Sequence, residues 1–279
     1  MPELPEVETI KRTLEERIVG KRIKCIQVLL EKMVLPLNVE QFKIRVEGSI
    51  ITGLGRRGKY LLVHLSFASV LIISLRMTGR LIFVPSGKDI LVNKHTHLVF
   101  EFDDGSFLYF NDVRKFGTIH CVPVEKLDNC PEIAKLGPEP LGPEFSETLL
   151  KEMLHTRRKK IKQLLLDQTF IAGIGNIYAD EILFQAGIHP EALPKSLTSR
   201  QVHSLFRAIV GVLNEGVKHR GTTIKDYVDG DGITGNYQDY LKVYGRKGKK
   251  CYNCGKQIET IKLGGRTAHF CPGCQREGI

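Results

Sequence analysis

Two pairs of cysteines near the end of the chain have the residue type and spacing that suit a metal ion. Cys251 and Cys254 form one Cys-x-x-Cys motif, Cys271 and Cys274 form a second, and positions 255–270 separate them. This spacing is typical of a zinc ribbon, in which each motif wraps one side of a tetrahedral ion and the residues between them form a hairpin. Two redox or disulfide pairs are the alternative interpretation. Four thiolates fill a tetrahedron, so we expect one structural Zn²⁺ per chain rather than a catalytic metal.

The first residues of the chain place an amine beside carboxylates. Removal of Met1 would expose the secondary amine of Pro2, and an α-amino group is less basic than a lysine, so more of it is an unprotonated nucleophile at neutral pH. Glu3 or Glu6 would be near enough to move protons. The alternative is a plain helix opening, because proline at the first helical position (Pro5) and carboxylates after it suit a helix N-terminus. The residues by themselves favour the helix opening.

A basic cluster followed by a glycine-rich turn is a further candidate site. Arg157 to Lys160, together with Lys162, lead into a short predicted helix, and Ala172–Glu181 is a glycine-rich turn that enters another helix. Free N–H groups at such a turn bind phosphate oxygens. A charge run alone is usually a solvated face. Combined with the Lys- and Arg-rich ribbon that begins at Lys242, however, the cluster favours DNA as the partner.

Another glycine pattern is misleading. Gly53-Leu-Gly55-Arg-Arg-Gly58 matches the fingerprint of dinucleotide-binding folds. That fingerprint requires a helix to follow the last glycine, because the helix N-terminus holds the pyrophosphate. Here Lys59–Leu65 follows, and its composition is typical of a strand, so we reject a Rossmann site.

The overall charge is consistent with a polyanionic partner. Of 279 residues, 41 are Lys or Arg and 31 are Asp or Glu, which gives a formal net charge of +10. This excess leaves nucleic acid and an acidic membrane surface open. The longest uncharged run, 60–75, is shorter than the ~20 apolar residues of a membrane helix, and no targeting peptide precedes it. Cys25, Cys121 and Cys130 are scattered along the chain, which suits a reducing compartment, so we expect a cytoplasmic protein with no membrane partner. With DNA as the partner, we expect association with the nucleoid, and we expect a monomer.

Two kinds of structure must position these residues. An apolar stripe predicts a helix from Pro5 to Ile18, and the chain from Ile23 to about Val124 then breaks into eight short β-rich runs separated by turns. Eight such strands predict a two-sheet sandwich or barrel. Beyond the proline-rich connector Leu136–Pro143 the period becomes helical, and Thr222–Tyr240 follows neither period and is expected to be mobile. Helices are expected at 145–155, 161–167, 176–186 and 199–219, the last with Ser199 as its cap.

An ordered set of short motifs carries a family resemblance. The motifs are Pro2-Glu-Leu-Pro-Glu-Val-Glu8, Gly58-Lys-Tyr-Leu61, Leu75-Arg-Met-Thr-Gly79, Lys94-His-Thr-His97, Asp112-Val-Arg-Lys-Phe-Gly117, Leu136-Gly-Pro-Glu-Pro140, Gly173-Ile-Gly-Asn-Ile-Tyr178, Val243-Tyr-Gly-Arg246 and the four-cysteine finger. In this order and over its whole length, the chain resembles bacterial formamidopyrimidine-DNA glycosylase. Each tetrapeptide is a weak signal, but the ordered set is highly specific.

The resemblance implies a bifunctional base-excision-repair enzyme that removes oxidised purines, 8-oxoguanine and formamidopyrimidines, from duplex DNA. The Pro2 amine would attack C1′ of the damaged nucleoside, form a Schiff base with the opened sugar, and release the phosphates by β- and then δ-elimination. Glu3 would donate a proton at the sugar, and Glu6 would support it. Lys59 would assist β-elimination and Arg266 would assist δ-elimination. Without the family, Lys59 is an ordinary strand-edge lysine and Arg266 a phosphate contact at a hairpin tip.

The resemblance also implies residues that extrude the damaged nucleotide and hold the DNA. Extrusion leaves a hole in the duplex that a long or aromatic side chain can fill. Met77, Arg114 and Phe116 match the family's wedge, with Arg114 facing the orphaned cytosine, although Met and Phe in a strand-rich region are more often core. Residues 222–237 match the loop that caps the lesion. The expected DNA contacts are His95, Arg114, Arg157, Lys162, Asn176, Tyr244 and Arg246.

The predicted fold is therefore α+β and multidomain. An N-terminal helix plus antiparallel β-sandwich (1–135) and a linker (136–145) precede a helix-two-turn-helix domain with the capping loop (146–240) and a zinc-ribbon β-hairpin (241–279). Two other functions stay open: an endonuclease VIII-type glycosylase for oxidised pyrimidines, and a non-catalytic zinc-ribbon protein that binds damaged DNA. Leu4, Val7 and the Arg-x-Phe pair favour the purine branch. Thr96 and Ser74 depart from the family pattern and affect only details of backbone contact.

Overall fold

The computed structural model describes residues 2–88 and 92–276, and they divide into two compact units. The first unit takes the described residues up to Ala134 together with His219–Asn236, and the second takes Lys135–Lys218 and the described chain from Tyr237. The boundary between the two units after Ala134 lies next to the proline-rich connector, Leu136–Pro143. Residues 219–236 differ from the predicted domain boundaries, because their contacts group them with the first unit, whereas we predicted them as part of the helical domain.

Eight strands in the first unit form two antiparallel sheets. The strands are β1 (Ile23–Val28), β2 (Ile51–Arg57), β3 (Tyr60–Leu65), β4 (Ser69–Ser74), β5 (Gly79–Val84), β6 (Thr96–Phe102), β7 (Phe107–Asp112) and β8 (Thr118–Pro123). One sheet has the order β1-β6-β7-β5 and the other the order β2-β3-β4-β8. Apolar side chains of both sheets and of helix α1 (Leu4–Ile18) share one buried core. The predicted antiparallel sandwich with an N-terminal helix is therefore confirmed, and the strand that follows Gly58 agrees with the rejection of a Rossmann site.

A short helix within the strand-rich region was missed by the sequence prediction. Helix α2 (Val39–Val46) is capped by Asn38, whose side-chain oxygen accepts a hydrogen bond from Gln41 N at 2.8 Å. Asn-x-x-Gln has the pattern of a capping box. No helix was predicted from it, because the segments on both sides have the composition of strands. Helix α3 (Pro131–Ala134) and single 3₁₀ turns at Glu31–Met33 and Val124–Asn129 complete the described elements of this unit.

The second unit contains four helices and a hairpin. They are α4 (Glu147–His155), α5 (Ile161–Leu166), α6 (Asn176–Ala186), α7 (Ser199–Lys218), β9 (Glu259–Leu263) and β10 (Arg266–Phe270), with 3₁₀ turns at Pro194–Ser196 and Tyr237–Tyr240. All four predicted helices are present. The cap of α7 is Thr198 and not Ser199, because Thr198 Oγ1 accepts from Gln201 N at 3.2 Å. Across the described ranges, no helix combines the length and the apolar character needed to cross a membrane.

Candidate functional site

The N-terminal residues hold two carboxylates in fixed positions. Glu6 Oε2 accepts a hydrogen bond from the backbone N–H of Glu3 at 2.7 Å, and the Glu3 carboxylate completes a reciprocal capping box. Glu3 and Glu6 are only 3% and 1% exposed, and Pro2 is also buried. Buried and hydrogen-bonded side chains have few alternative rotamers. The structure thus brings the predicted nucleophile and both predicted carboxylates into one ordered cluster.

Glu6 also joins this cluster to residues 219–236. Its Oε1 accepts from Thr222 N at 2.6 Å, and the hydroxyl of Tyr227 donates to the Glu6 carbonyl at 3.3 Å. Gly221 lies so close that a Cβ there would come within 2.8 Å of the Glu6 side chain, and its φ of +79° favours glycine. The segment for which we expected mobility is therefore held in the structure by bonds between side chains and backbone, although it has no regular secondary structure over 219–236.

Lys59 occupies the turn between β2 and β3. Arg57 pairs with Tyr60, so Gly58 and Lys59 form the two-residue loop, and Lys59 is half-buried there. Arg56 fixes this loop to helix α1, because its Nη1 donates to Gly58 O at 3.0 Å and its Nε donates to Glu8 Oε2 at 3.0 Å.

The carboxylate of Glu8 is held ionised by its arginine neighbours. Burial by itself would raise the pKa of Glu8, but hydrogen bonds from Arg56 and Arg12 outweigh it and leave the pKa below its ordinary value of 4.5. A charge-assisted pair of this kind is stronger than a neutral hydrogen bond. The helix that begins beside Pro2 is therefore tied to the turn that carries Lys59.

The three predicted wedge residues form one exposed cluster. Met77 is 42% exposed and Phe116 is 51% exposed, which excludes the alternative that they belong to the core. The Arg114 guanidinium lies over the Phe116 ring, with Cζ 4.7 Å from its centroid, and Arg114 Nη1 lies 2.7 Å from Met77 Sδ. Each loop contains one residue with a positive φ, Arg76 at +50° and Lys115 at +58°, a conformation that is uncommon outside glycine and is typical of tight turns.

A buried carboxylate that the sequence prediction missed organises both wedge loops. Asp112 is 1% exposed; its Oδ1 accepts from Thr78 Oγ1 at 2.5 Å and from Arg114 N at 3.1 Å, and its Oδ2 accepts from Phe116 N at 2.8 Å and Gly117 N at 2.7 Å. The available signal was an aspartate just beyond a predicted strand, where a turn is expected.

Asp112 also fixes the backbone of one expected DNA contact. His95 is half-buried, and its carbonyl accepts from Asp112 N at 2.8 Å. The backbone carbonyl of Asp112 in turn lies 2.7 Å from His97 Nε2. His95 therefore lies on the same hydrogen-bonded framework as the wedge loops.

The four terminal cysteines form a structural zinc site. Their Sγ atoms all lie within 4.8 Å of one another, and Asn253 N donates to Cys251 Sγ at 3.4 Å, as the backbone of a metal-binding knuckle does. Tetrahedral thiolate coordination is the preference of Zn²⁺, and a filled set of four leaves no position for substrate. The residues present fit a structural zinc ion, as predicted.

The hairpin between the two cysteine motifs presents Arg266. Gly264 and Gly265 form the turn with φ values of +56° and +75°, and Arg266 pairs with Leu263 at the start of β10. The Arg266 side chain is exposed. The ribbon therefore displays this residue at its tip, as the spacing of the cysteines predicted.

Lys162 is the predicted DNA contact that the structure does not support. Its side chain is 0% exposed, and its Nζ donates to Asp180 Oδ1 at 2.6 Å and to Thr267 O at 2.8 Å. An ammonium buried and bonded in this way does not reach a phosphate. The prediction was wrong because it treated Lys162 as part of the exposed basic run that precedes it. In the structure, α5 directs this side chain inward, toward α6. Arg157, from the same run, is exposed.

Two further buried carboxylates, both on α6, were missed by the sequence prediction. Asp180 is 1% exposed, and besides Lys162 it accepts from the backbone and ring nitrogens of His269. Glu181 accepts from three successive backbone N–H groups, at 242–244, while burial raises its pKa. Charged residues on the apolar face of a predicted helix are the signal that was available.

The remaining expected contacts lie around the ribbon. Asn176 Nδ2 donates to Thr267 O at 3.1 Å, and the Tyr244 ring packs on that of His269 with centroids 4.9 Å apart. Arg246 stacks on Tyr252, with Cζ 3.6 Å from the ring centroid, and donates to two backbone carbonyls. These three side chains are partly exposed, so they retain surface for a partner.

Comparison with known proteins matches the whole architecture. Family models described as Formamidopyrimidine-DNA glycosylase N-terminal domain, Formamidopyrimidine-DNA glycosylase H2TH domain, and Zinc finger found in FPG and IleRS match residues 1–119, 136–228 and 248–276. The formamidopyrimidine-DNA glycosylase of Desulforamulus reducens is 49% identical over 277 residues, 99% of each chain.

Solved structures agree with this match. The Lactococcus lactis Fpg in complex with DNA containing an abasic site has a TM-score of 0.92 and 42% identity over 99% of this chain and 100% of that one. A wild-type Lactococcus lactis complex with DNA that contains N7-benzyl-Fapy-dG has the same TM-score, identity and coverage. The fold and the four-cysteine site thus define a zinc-finger DNA glycosylase. The chain belongs to the formamidopyrimidine-DNA glycosylase family, whose members act in base excision repair of oxidised purines and also cleave abasic sites.

Proposed function

We propose that this enzyme excises 8-oxoguanine and formamidopyrimidines from duplex DNA with the amine of Pro2 as its nucleophile, and then cleaves the strand at the same site. The observation that carries the proposal is the buried cluster in which Glu3 and Glu6 are locked by reciprocal hydrogen bonds directly after residue 2. A secondary amine beside ordered carboxylates has a nucleophile, a proton donor and a proton acceptor within one short segment.

The first step is base excision. The lone pair of the Pro2 nitrogen forms a bond to C1′ while the bond from C1′ to the base breaks, and the base leaves with that electron pair. The proton that the amine loses passes to the departing base. Glu3 then donates a proton to the ring oxygen of the sugar, the bond between C1′ and that oxygen breaks, and the nitrogen lone pair forms the iminium with C1′. Glu6 holds the Glu3 backbone in place during these steps.

The second step is strand cleavage. An iminium acidifies the neighbouring C–H bonds. Removal of the C2′ proton, assisted by Lys59, forms the C2′=C3′ double bond and expels the 3′ phosphate. Removal of the C4′ proton, assisted by Arg266, extends the conjugation and expels the 5′ phosphate from C5′. Hydrolysis of the remaining imine frees the enzyme.

Binding of DNA rests on cationic and polar side chains and on the wedge. Arg157, His95, Asn176, Tyr244 and Arg246 hold the phosphate backbone, which gives an affinity that falls with salt. Met77, Arg114 and Phe116 enter the space left by the extruded nucleotide, with Arg114 donating to the orphaned cytosine. Residues 222–237 cover the extruded base. The related Lactococcus lactis structures, which hold DNA with an abasic site and with a modified formamidopyrimidine, support this assignment. We expect the enzyme to act as a monomer on the nucleoid in the cytoplasm.

Borohydride trapping on defined duplexes tests the proposal. A duplex with 8-oxoguanine opposite cytosine should give a covalent protein–DNA species, and Pro2→Gly should abolish it. The intact mass should show that Met1 has been removed, because a retained methionine blocks the amine. Absence of any trapped species with the wild-type protein, or full activity of Pro2→Gly, would falsify the proposal. A preference for oxidised pyrimidines in the same assay would indicate an endonuclease VIII-type specificity instead.

A further inference from the structure

The hairpin that carries Arg266 is fixed to two helices at alternate residues of one strand. The Thr267 carbonyl accepts from Lys162 Nζ at 2.8 Å and from Asn176 Nδ2 at 3.1 Å. Two residues further along β10, Asp180 Oδ2 accepts from the backbone N–H of His269 at 3.0 Å and lies 2.9 Å from its ring Nδ1. Both anchors face α5 and α6, so the strand is prevented from sliding or twisting relative to them.

The turn itself also lies against α5. A Cβ built on Gly264 would come within 3.0 Å of the Gln163 side-chain nitrogen, and the next residue in sequence after the turn is Arg266. The backbone of Arg266 therefore lies between two fixed points. On one side is the glycine turn that packs on α5, and on the other is the Thr267 carbonyl, which accepts two hydrogen bonds.

The centre of this arrangement is a buried ion pair. Lys162 Nζ and Asp180 Oδ1 are 2.6 Å apart, and both side chains are at most 1% exposed. Buried ion pairs are poor stabilisers, because desolvation of the two charges offsets their attraction, and apolar replacements of similar volume are often as stable. Hydrogen bonds from such a pair are directional, however, and here one partner bonds to Thr267 and the other to His269.

We propose that Lys162 and Asp180 are positioning residues that set the location of Arg266 for δ-elimination. The inference rests on the proposed function, in which Arg266 assists removal of the C4′ proton and departure of the 5′ phosphate. Both side chains are at most 1% exposed, so each acts through the backbone of β10 and not by its own contact with DNA. A displacement of about 1 Å at a reacting group lowers a rate by as much as ~100-fold, so loss of the pair should slow δ-elimination and leave β-elimination, which uses Lys59, unchanged.

The test is the ratio of cleavage products from a duplex with a preformed abasic site. The main variant is the double substitution Lys162→Met with Asp180→Asn, which leaves no unpaired buried charge and keeps an acceptor for His269 N. We expect full zinc content, a normal rate of β-elimination and δ-elimination slower by about tenfold or more. Glu147→Gln is the matched control, since it breaks a carboxylate–histidine contact with His203 elsewhere in the same unit and should leave the ratio unchanged.

The outcomes separate the inference from the proposed function. A zinc-loaded double variant with the wild-type product ratio, or with both eliminations slowed equally, would overturn the positioning role. If the double variant loses zinc, the product ratio of the single variant Asp180→Asn tests the positioning role instead. Loss of zinc in that variant as well would show that the pair is needed for folding of the ribbon, and it would overturn the positioning role. Wild-type protein that cleaves no abasic site would sink the proposed function itself, and normal δ-elimination by Arg266→Ala would remove Arg266 from that step.

Discussion

The Arg114 guanidinium stacks on the ring of Phe116, with Cζ 4.7 Å from the ring centroid, at the surface of the β-sandwich. A cation over an exposed aromatic ring gains roughly 0.5–1 kcal/mol. The contact orders two long side chains before DNA arrives. Preorganisation of this kind lowers the entropy lost on binding, which suits the wedge role that we propose for these residues.

The first prediction concerns discrimination of the base opposite the lesion. If Arg114 donates to the orphaned cytosine, Arg114→Ala should lose most of the preference for cytosine over adenine, a difference of about 1–3 kcal/mol for a good base contact. The measurement is kcat/KM for 8-oxoguanine opposite each base. Arg45→Ala removes another exposed arginine of the same unit and should keep the wild-type ratio. An unchanged ratio in Arg114→Ala would show that another group reads the opposite base.

The second prediction concerns Asp112, which accepts four hydrogen bonds within the two wedge loops. Asp112→Ala leaves these donors without their buried partner, which costs about 1–3 kcal/mol for an unsatisfied group. We expect a lower free energy of unfolding in denaturant titrations and weaker excision from paired duplexes. Asp103→Asn alters a carboxylate of an exposed ion pair with Arg22 and should change neither quantity. Stability equal to that of the wild type in Asp112→Ala would contradict the framework role.

The sequence predicted those parts of the fold that depend on local pattern. All eight strands of the sandwich and the four helices of the second unit follow from their apolar periods, and the zinc ligands follow from spacing alone. Helix α2 was missed although Asn38 and Gln41 carry its capping signal, since a short helix among strands gives a weak period.

Other features depend on contacts between distant residues and leave no local trace. Thr222 N bonds to Glu6 across 216 positions, so the fold of residues 219–236 is not readable from their own composition. Lys162 belongs to a basic run, and only the position of Asp180 on the next helix shows that it is buried. A catalytic role for Pro2 and its neighbouring carboxylates could be predicted only from the family resemblance, because the same residues also suit an ordinary helix N-terminus.

The third prediction concerns the zinc site. Cys251→Ser should reduce the zinc content below the ~1 ion per chain of the wild type, because a serine hydroxyl is a poor replacement for a thiolate. DNA affinity should fall with it, since the ribbon carries Arg246 and Arg266. Zinc is measured by elemental analysis and affinity by fluorescence anisotropy. Cys25→Ser, outside the ribbon, is the control and should keep both values. Undiminished DNA binding by zinc-free protein would show that the ribbon has no part in affinity.

The last prediction concerns acid stability and Glu8. The pKa of Glu8 is lower in the folded protein than its ordinary 4.5, mainly because bonds from Arg56 and Arg12 outweigh its burial. A carboxyl with a depressed folded pKa stabilises the protein above the unfolded pKa, and this contribution is lost as the pH falls through the folded value. Glu8→Gln should therefore lower the free energy of unfolding at pH 7, by about 1–3 kcal/mol for a charge-assisted bond, and the difference from the wild type should shrink below pH 4.5. Denaturant titrations at pH 7 and pH 3 measure both values, with Glu15→Gln, from the partly exposed pair with Lys11, as the control. A difference that persists undiminished at pH 3 would show that Glu8 acts through packing and not through its charge.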